Sequence, residues 1–152
     1  MFLAVSWSTA GQAQRSTGGF AGAEAGVAQF GTAKLNSISG TVRIGHTLDR
    51  RGMLRIAAVA SAAGIEVAVL GLGVGLELRP LSPRRITPLI GVGAGMFRDI
   101  DYPASNHGYY AVNAGVAVRI AGPVKSTLRA QYADSWKSSG FYTVHLGLEV
   151  GR

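Results

Sequence analysis

Charged side chains recur at alternate positions within the apolar stretches of this sequence, and their types could form a polar site. Alternate positions share one face of a β-strand. A buried charge is very costly without a partner, so charges on one inward face predict a network of ion pairs. The expected pairs are Glu24 with Arg43, Glu77 with Arg55 and Glu149 with Arg129. The full inward set is Glu24, Arg43, Arg55, Glu77, Arg79, Arg119, Arg129, His145 and Glu149.

The histidines do not predict a metal centre. His46, His107 and His145 lack the spacing of a metal site. The sequence contains no cysteine, which excludes a thiolate zinc site, a thiol nucleophile and a disulfide scaffold. His145 is more simply explained as a structural partner of the inward charges. We therefore expect no metal and no other cofactor.

The composition limits the classes of protein that can contain such charges. Of 152 residues, 22 are glycine, 47% are hydrophobic and only 15% are charged, whereas a soluble domain carries about 25% charged residues. The longest apolar stretch, residues 65–78, is interrupted by Glu66, Glu77 and alternating glycines, so no transmembrane helix is predicted. A closed β-barrel with an apolar outer face and a polar inner face satisfies both observations. The net charge of +7 is scattered rather than clustered, which favours anionic lipid head groups, or neither partner, over nucleic acid.

Alternation of apolar and polar residues predicts eight β-strands. In the clearest, Leu70, Leu72, Val74 and Leu76 share one face, and glycines occupy the other. A helix is disfavoured there, because each glycine costs about 1 kcal/mol relative to alanine. From this parity, Leu72→Arg should be destabilising because Leu72 faces lipid. The predicted strands cover residues 19–30, 38–48, 53–61, 65–79, 86–98, 109–120, 124–134 and 141–152.

The connections between the predicted strands indicate an orientation. Tight turns at 49–52, 81–85 and 121–123 follow strands two, four and six, and longer connections follow strands one, five and seven. The longest is expected from Asp99 to Gly108, and a short link near 62–64 follows strand three. Short turns on the periplasmic side are typical of outer-membrane barrels. Aromatic residues near the strand ends predict interfacial girdles: Phe20, Phe30, Phe97, Tyr102, Tyr109, Tyr110, Tyr132, Trp136, Phe141 and Tyr142.

The first thirteen residues differ from the remainder of the chain. An apolar stretch is followed by Gly11-Gln12-Ala13, which has the small-x-small pattern of a cleavage site. We interpret residues 1–13 as the later part of a signal peptide and residues 19–152 as a single barrel domain.

The second half of the chain carries a family resemblance. The segments 86–95 (ITPLIGVGAG) and 110–118 (YAVNAGVAV), together with 124–132 and 142–150, resemble strands of the outer-membrane β-barrel domain family of small OmpA-like and opacity-type proteins. The family's last strand usually ends in an aromatic residue, whereas this sequence ends in Arg152. The resemblance implies an all-β, eight-stranded, antiparallel up-and-down transmembrane β-barrel in the outer membrane of a Gram-negative bacterium. It also implies outer-membrane lipid, lipopolysaccharide and the barrel assembly machinery as partners.

The expected function follows from the barrel and its inward charges. We expect a non-enzymatic protein whose lumen is plugged by ion pairs, with a structural or surface-interaction role carried by the loop 99–108 toward an unknown surface ligand. One alternative is a small outer-membrane channel, and another is a soluble, lipocalin-like binding barrel. Lipid A deacylases of similar shape use a serine, a histidine and an acid. Here Ser105, His107 and Asp99 or Asp101 supply those types, but in a loop and in a different order.

Overall fold

The computed structural model describes residues 18–31, 35–65, 68–81, 84–100, 106–135 and 138–151. They form a closed barrel in which each strand pairs antiparallel with the next, and β8 pairs with β1. No helix within these ranges is long and apolar enough to cross a membrane. The predicted fold class is confirmed. The strands are β1 (Gly19–Phe30), β2 (Leu35–Thr47), β3 (Leu54–Ile65), β4 (Val69–Leu78), β5 (Ile86–Asp99), β6 (Asn106–Ala121), β7 (Val124–Ser135) and β8 (Ser138–Gly151).

The barrel has two distinguishable ends. The end that contains residues 18 and 151, with the connections 48–53, 79–85 and 122–123, is called the terminal end here. The opposite end, with the connections 31–34, 66–68, 100–105 and 136–137, is called the far end. The expected contrast in connection length is wrong, because the terminal-end connections are as long as those at the far end. The predicted signal peptide, residues 1–13, lies outside the described residues and stays a prediction.

Strand pairing extends several strands beyond their apolar cores. Residues 62–64, expected as a link, continue β3 and pair with β2, and Ala62 and Ala63 also pair with β4. The expected loop 99–108 is also shorter, because Asn106 and His107 pair with Arg98 and Phe97. Of that connection the structure describes Ile100 but not residues 101–105. The polar and small residues at these strand ends do not alternate with apolar ones, and alternation is the signal that predicts a strand from sequence. Only their pairing with the neighbouring strands shows that they belong to β-strands.

The outer face of the barrel is apolar. Leu72 and Val74 retain 70% and 60% of their accessible surface, and every strand has large apolar side chains exposed on this same outer face. Such a surface would promote aggregation in water, whereas it matches the apolar band with which a membrane barrel contacts lipid. These side-chain directions contradict the lipocalin-like alternative, which required the large apolar residues to face inward.

Facing glycines on β4 and β5 make room inside the barrel. Gly73 pairs with Gly95, and Gly75 pairs with Gly93. A Cβ atom built on Gly73 would lie 2.6 Å from the Tyr109 hydroxyl oxygen, and one built on Gly95 would lie 2.9 Å from the Tyr109 ring. The glycines therefore provide the space that the Tyr109 side chain fills.

The turn between β2 and β3 shows how local chemistry sets one hairpin. The Asp49 carboxylate accepts hydrogen bonds from the backbone N–H of Arg51, at 3.1 Å, and of Leu54, at 2.7 Å. Gly52 has φ of 72°, a left-handed conformation that glycine adopts without steric cost. Together they close the connection and align β3 with β2.

The aromatic residues divide between the two faces of the barrel, contrary to the expectation that all ten would form girdles. Tyr110, Tyr132 and Tyr142 face outward near the far end, where the Tyr132 and Tyr142 rings lie 4.8 Å apart. The parity of their strands turns five others into the lumen: Phe20, Phe30, Phe97, Tyr109 and Phe141. Tyr102 and Trp136 fall outside the described residues.

Candidate functional site in the barrel lumen

The candidate site is a chain of buried ion pairs that runs through the lumen. Six strands or strand ends supply its members, because each inward position alternates with a lipid-facing one. The ion pairs connect the side chains in the order Arg43, Glu24, Arg129, Glu77, then Arg79 and Arg55, and finally Glu149.

Glu24 anchors the part of this network nearer the far end. Its carboxylate lies 3.1 Å from Nε of Arg129 and 3.5 Å from Nε of Arg43. The Thr127 hydroxyl donates a further hydrogen bond to Glu24 at 3.2 Å. Nδ1 of His145 lies 3.9 Å from Oε2 of Glu24, a distance that is too long for a hydrogen bond. Glu24 is thus surrounded by cationic and polar groups although it is almost fully buried.

Glu149 anchors the part nearer the terminal end. Its two oxygens accept hydrogen bonds from Nη1 of Arg55 at 2.8 Å and from Nη2 of Arg79 at 2.6 Å. The Arg55 guanidinium also lies 3.8 Å from the centre of the Phe20 ring, a cation–π contact. Two guanidinium groups therefore share one carboxylate, and an aromatic ring supports one of them.

Glu77 joins the two parts. It accepts hydrogen bonds from Arg79, which comes just after the last residue of β4, and from Nη1 of Arg129 on β7. Nη1 of Arg129 also donates to the Asn113 side-chain oxygen at 3.0 Å. Arg129 consequently contacts both Glu24 and Glu77, so the pairs form one continuous network.

Two of the three expected pairs lie within ion-pair distance, and the third does not. Arg43 is 3.5 Å from Glu24, and Arg55 is 4.0 Å from Glu77. The expected contact of Glu149 with Arg129 is wrong. The register of β7 with β8 places Glu149 opposite Lys125 and Arg129 opposite His145, so Arg129 turns to Glu24 and Glu77 instead.

Arg119 and Arg79 also differ from expectation. Arg119 is exposed and is not a member of the buried network: it lies beside a register shift at the terminal end of β6. Arg79 takes a central place, since its side chain is fully buried and contacts both Glu77 and Glu149. The sequence marked Arg79 as inward but gave no sign that it would join β4 to β8.

His145 is held by Ser39, an uncharged residue that the pattern of inward charges did not predict. The Ser39 hydroxyl and Nε2 of His145 form a hydrogen bond of 2.7 Å within the lumen. Ser39, Thr127 and Asn113 all lie on inward positions of their strands, so strand parity could have found them. Their partners could not be found in this way, because none of them lies directly opposite in the strand register: Asn113 contacts Arg129 diagonally across β6 and β7, and the other two contacts pass over an intervening strand.

The arrangement fills the lumen near its middle and its terminal end. Arg79 and Arg129 retain 0% and 1% of their accessible surface, and Thr87, Leu89 and Thr127 are comparably buried. Four arginines share three glutamates, so each carboxylate has at least two cationic contacts. An eight-stranded barrel is just wide enough for its own side chains to fill it. The network is suited to closing the lumen and stabilising it.

The described residues form neither a metal site nor a catalytic set of serine, histidine and acid. No three histidine or acidic side chains there could hold a metal ion. The His107 ring packs against the Phe97 ring with their centres 5.1 Å apart. Ser105 and Asp101 lie outside the described residues, and so the Ser, His and Asp set, which the sequence already disfavoured, has no described geometry.

Solved structures share this architecture. The crystal structure of Neisserial surface protein A has a TM-score of 0.69 at 14% identity and covers 89% of this chain and 96% of its own. The chain has the fold of the small eight-stranded outer-membrane β-barrels. The N-terminal β-barrel domain of Pseudomonas aeruginosa OprF gives a TM-score of 0.65 at 12% identity, covering 88% of this chain and 97% of its own.

The fold is also that of an enzyme. The outer-membrane enzyme PagL has a TM-score of 0.54 at 13% identity and covers 86% of this chain and 98% of its own. No protein-family model matches the sequence, and no curated protein matches it. At these identities the likeness concerns the fold. A closed barrel with an apolar outer face places this chain in the outer membrane.

Proposed function

We propose that this protein is a non-conducting outer-membrane barrel with a structural or surface-interaction role. The observation that carries the proposal is the burial of Arg79 and Arg129 inside one continuous ion-pair network. A conducting pore of this polarity would keep its charged side chains in contact with water. Here the guanidinium groups are bound to carboxylates instead, and they obstruct the path of an ion.

A structural or surface role agrees with the remaining features. The network joins β1, β2, β3, β4, β7 and β8 across the lumen, which restrains the wall of the barrel. The apolar belt contacts membrane lipid, and Tyr110, Tyr132 and Tyr142 suit its head-group boundary at the far end. By this proposal the far end faces the cell exterior and meets lipopolysaccharide, and the barrel assembly machinery inserts the chain.

Absence of catalysis is part of the proposal. Packing of His107 against Phe97 inside the barrel turns the imidazole away from the lipid, where a lipid-modifying enzyme needs its base. Purified protein incubated with lipid A should therefore release no fatty acid. Release that depends on His107 would contradict the proposal.

Conductance in a planar lipid bilayer tests the proposal directly. The wild-type protein should give no steady current steps. The variant Arg79→Ala/Glu149→Ala removes one charge of each sign from the network and should introduce steps. Arg98→Ala, which changes an exposed arginine, is the matched control and should remain silent.

The opposite outcome is equally informative. Steady steps from the wild-type protein, with an ion selectivity that changes in Glu149→Gln, would establish the small-channel alternative. Folding of every variant is checked first by comparing the migration of boiled and unboiled samples on a gel, since a closed barrel migrates differently before boiling.

A further inference from the structure

Positive charge that is scattered along the sequence is concentrated at one end of the folded barrel. Within the described part of the chain six arginines are exposed, and only Arg98 among them lies at the far end. The terminal end therefore has a basic surface outside the buried ion-pair network. Its five exposed arginines are Arg50, Arg51, Arg84, Arg85 and Arg119.

Backbone hydrogen bonds hold these arginines side by side on the rim of the barrel. The β2–β3 and β4–β5 connections are neighbours, because the N–H of Arg79 donates a hydrogen bond of 2.7 Å to the Met53 carbonyl oxygen. The N–H of Arg119 donates one of 2.8 Å to the Arg85 carbonyl oxygen. The five arginines thus form a continuous arc from the β2–β3 connection to the end of β6, called the basic arc here.

The acidic groups near the basic arc already have partners. The two connections that carry four of its arginines contain one acid, Asp49. Its carboxylate accepts hydrogen bonds from the backbone N–H groups of Arg51 and Leu54 in its own turn. Glu149, at the same end of the lumen, is bound by two buried arginines. The basic arc therefore retains a positive potential that attracts an anion from outside the chain.

Apolar side chains beside the basic arc set its depth in the membrane. Leu48 and Leu54 flank the β2–β3 connection, and both are exposed on the outer face. Ile86 follows the β4–β5 connection directly and is exposed on the same face. The arginines consequently lie where the apolar belt ends. At such a boundary an arginine keeps its stem along apolar surface and its guanidinium among the head groups. This position favours a lipid over a partner remote from the membrane.

We propose that the basic arc binds the head groups of anionic phospholipids. A guanidinium matches a phosphate group with two parallel hydrogen bonds, and its charge favours a head group with no compensating ammonium. The lipids belong to the periplasmic leaflet, an assignment that rests on the orientation proposed above. The preference for an anionic head group depends neither on that orientation nor on whether the lumen conducts.

The test places the folded barrel in nanodiscs of phosphatidylcholine and replaces this lipid stepwise with phosphatidylglycerol, which adds negative charge. NMR follows the backbone N–H signals of Gly52 and Arg85 in the arc, and those of Gly108 and Tyr110 at the far end. The signals of the arc should shift to saturation, and high salt should reverse the shifts because it screens exposed charges. Equal shifts at both ends would overturn the proposal.

Arg84→Gln/Arg85→Gln removes two charges from the basic arc, and Arg98→Gln is the matched control at the far end. The apparent affinity for phosphatidylglycerol, read from Gly52, should fall roughly fivefold for each arginine removed. Arg98→Gln should bind as the wild type does. An unchanged affinity in the double variant, with normal unboiled migration on a gel, would contradict a role for the arc.

Soluble glycerol phosphate has the chemistry of the head group without acyl chains, so it separates a lipid site from a site for free anions. It should cause no saturating shift in phosphatidylcholine nanodiscs. Shifts that match those of phosphatidylglycerol would overturn the assignment to lipid.

A single thiol tests the leaflet separately. Because the chain contains no cysteine, Arg50→Cys introduces one reactive group. A maleimide that does not cross membranes should label it in cells only after the outer membrane has been opened. Labelling in intact cells would overturn the leaflet assignment alone. Failure of the nanodisc titration would instead overturn the head-group preference and leave the proposed structural role unaffected.

Discussion

The Ser39 hydroxyl oxygen and Nε2 of His145 lie 2.7 Å apart, although they belong to β2 and β8, which are not adjacent in the sheet. The strand between them is β1, and its residue Gly26 lies opposite both Ser39 and His145. Because Gly26 has no side chain, the two side chains meet above it. A contact between two strands therefore depends on a glycine in a third.

Gly26→Ala should destabilise the barrel. A Cβ atom at this position would collide with the Val144 carbonyl oxygen and would lie 2.7 Å from Cδ2 of His145. Overpacking of this kind costs about 1–3 kcal/mol, measured as the free energy of unfolding in urea with the protein in phospholipid vesicles.

Gly64→Ala is the matched control, because no heavy atom lies within 4 Å of a Cβ built there. Its free energy of unfolding should stay within about 0.5 kcal/mol of the wild type. If the two alanine variants lost the same stability, space above Gly26 would not be what the fold requires.

Much of the barrel was predictable from the sequence because successive side chains of a strand alternate between only two directions, the lipid and the lumen. Once Leu72 and Val74 were assigned to the lipid face, Gly73 and Gly75 had to face the lumen, and the structure agrees. The ends of strands were less predictable. Ala63 and Asn106 continue their strands through cross-strand pairing, which no local pattern records.

The ion pairs were only partly predictable for a related reason. Parity states that Glu149 and Arg79 face the lumen, but they lie 70 residues apart and on strands that are not neighbours. Their contact depends on the width of the lumen and on long side chains that reach across it. Pairing opposite charges on neighbouring strands correctly predicted the contact of Glu24 with Arg43. The same rule wrongly paired Arg129 with Glu149, because Arg129 contacts Glu24 and Glu77 instead.

Leu72→Arg tests the lipid-facing assignment. Leu72 is the most exposed large apolar residue in β4 and lies near the middle of that strand. Arginine on the lipid face near the bilayer midplane costs about 2–4 kcal/mol, whereas near the interface it costs about 0–1 kcal/mol. The measurement is the free energy of folding into vesicles.

Leu54→Arg provides the comparison, because Leu54 also faces outward but begins β3 at the terminal end. Its loss of stability should be markedly smaller than that of Leu72→Arg. A Leu72→Arg barrel as stable as the wild type would show that this face does not contact the bilayer core.

Glu149→Gln tests the network at its terminal-end anchor. The change leaves Arg55 and Arg79 buried with less compensating charge, since both donate hydrogen bonds to Glu149. Removal of one partner from a buried ion pair costs about 3–5 kcal/mol. The result is read from urea unfolding, with folding first confirmed by gel migration.

Asp134→Asn is the control for a change of the same chemistry on the outer face. Asp134 accepts a hydrogen bond of 3.0 Å from the exposed Tyr110 hydroxyl. An exposed polar contact contributes about 0–1 kcal/mol. Equal losses in Glu149→Gln and Asp134→Asn would mean that burial does not strengthen the dependence of the fold on the Glu149 charge.

Two arginines that looked equivalent in the sequence should differ sharply in their effect on stability. Arg129 contacts Glu24 and Glu77 in the closed lumen, whereas Arg119 is exposed at the terminal end. Arg129→Gln leaves two buried carboxylates with fewer cationic partners, and the loss should be about 3–5 kcal/mol. Arg119→Gln should cost less than about 1 kcal/mol.

The double variant Arg129→Gln/Glu77→Gln identifies the origin of the Arg129 effect. Because the two side chains are in direct contact, their separate losses should not add, and the deviation should be about 0.5–3 kcal/mol. In the pair Arg119→Gln/Glu77→Gln, Arg119 is exposed at the terminal end and Glu77 is bound by Arg55, Arg79 and Arg129, so the two losses should be additive within about 0.5 kcal/mol. If Arg129 and Glu77 were additive as well, Arg129 would stabilise the barrel by filling volume, and the ion-pair network would lose its role in closing the lumen.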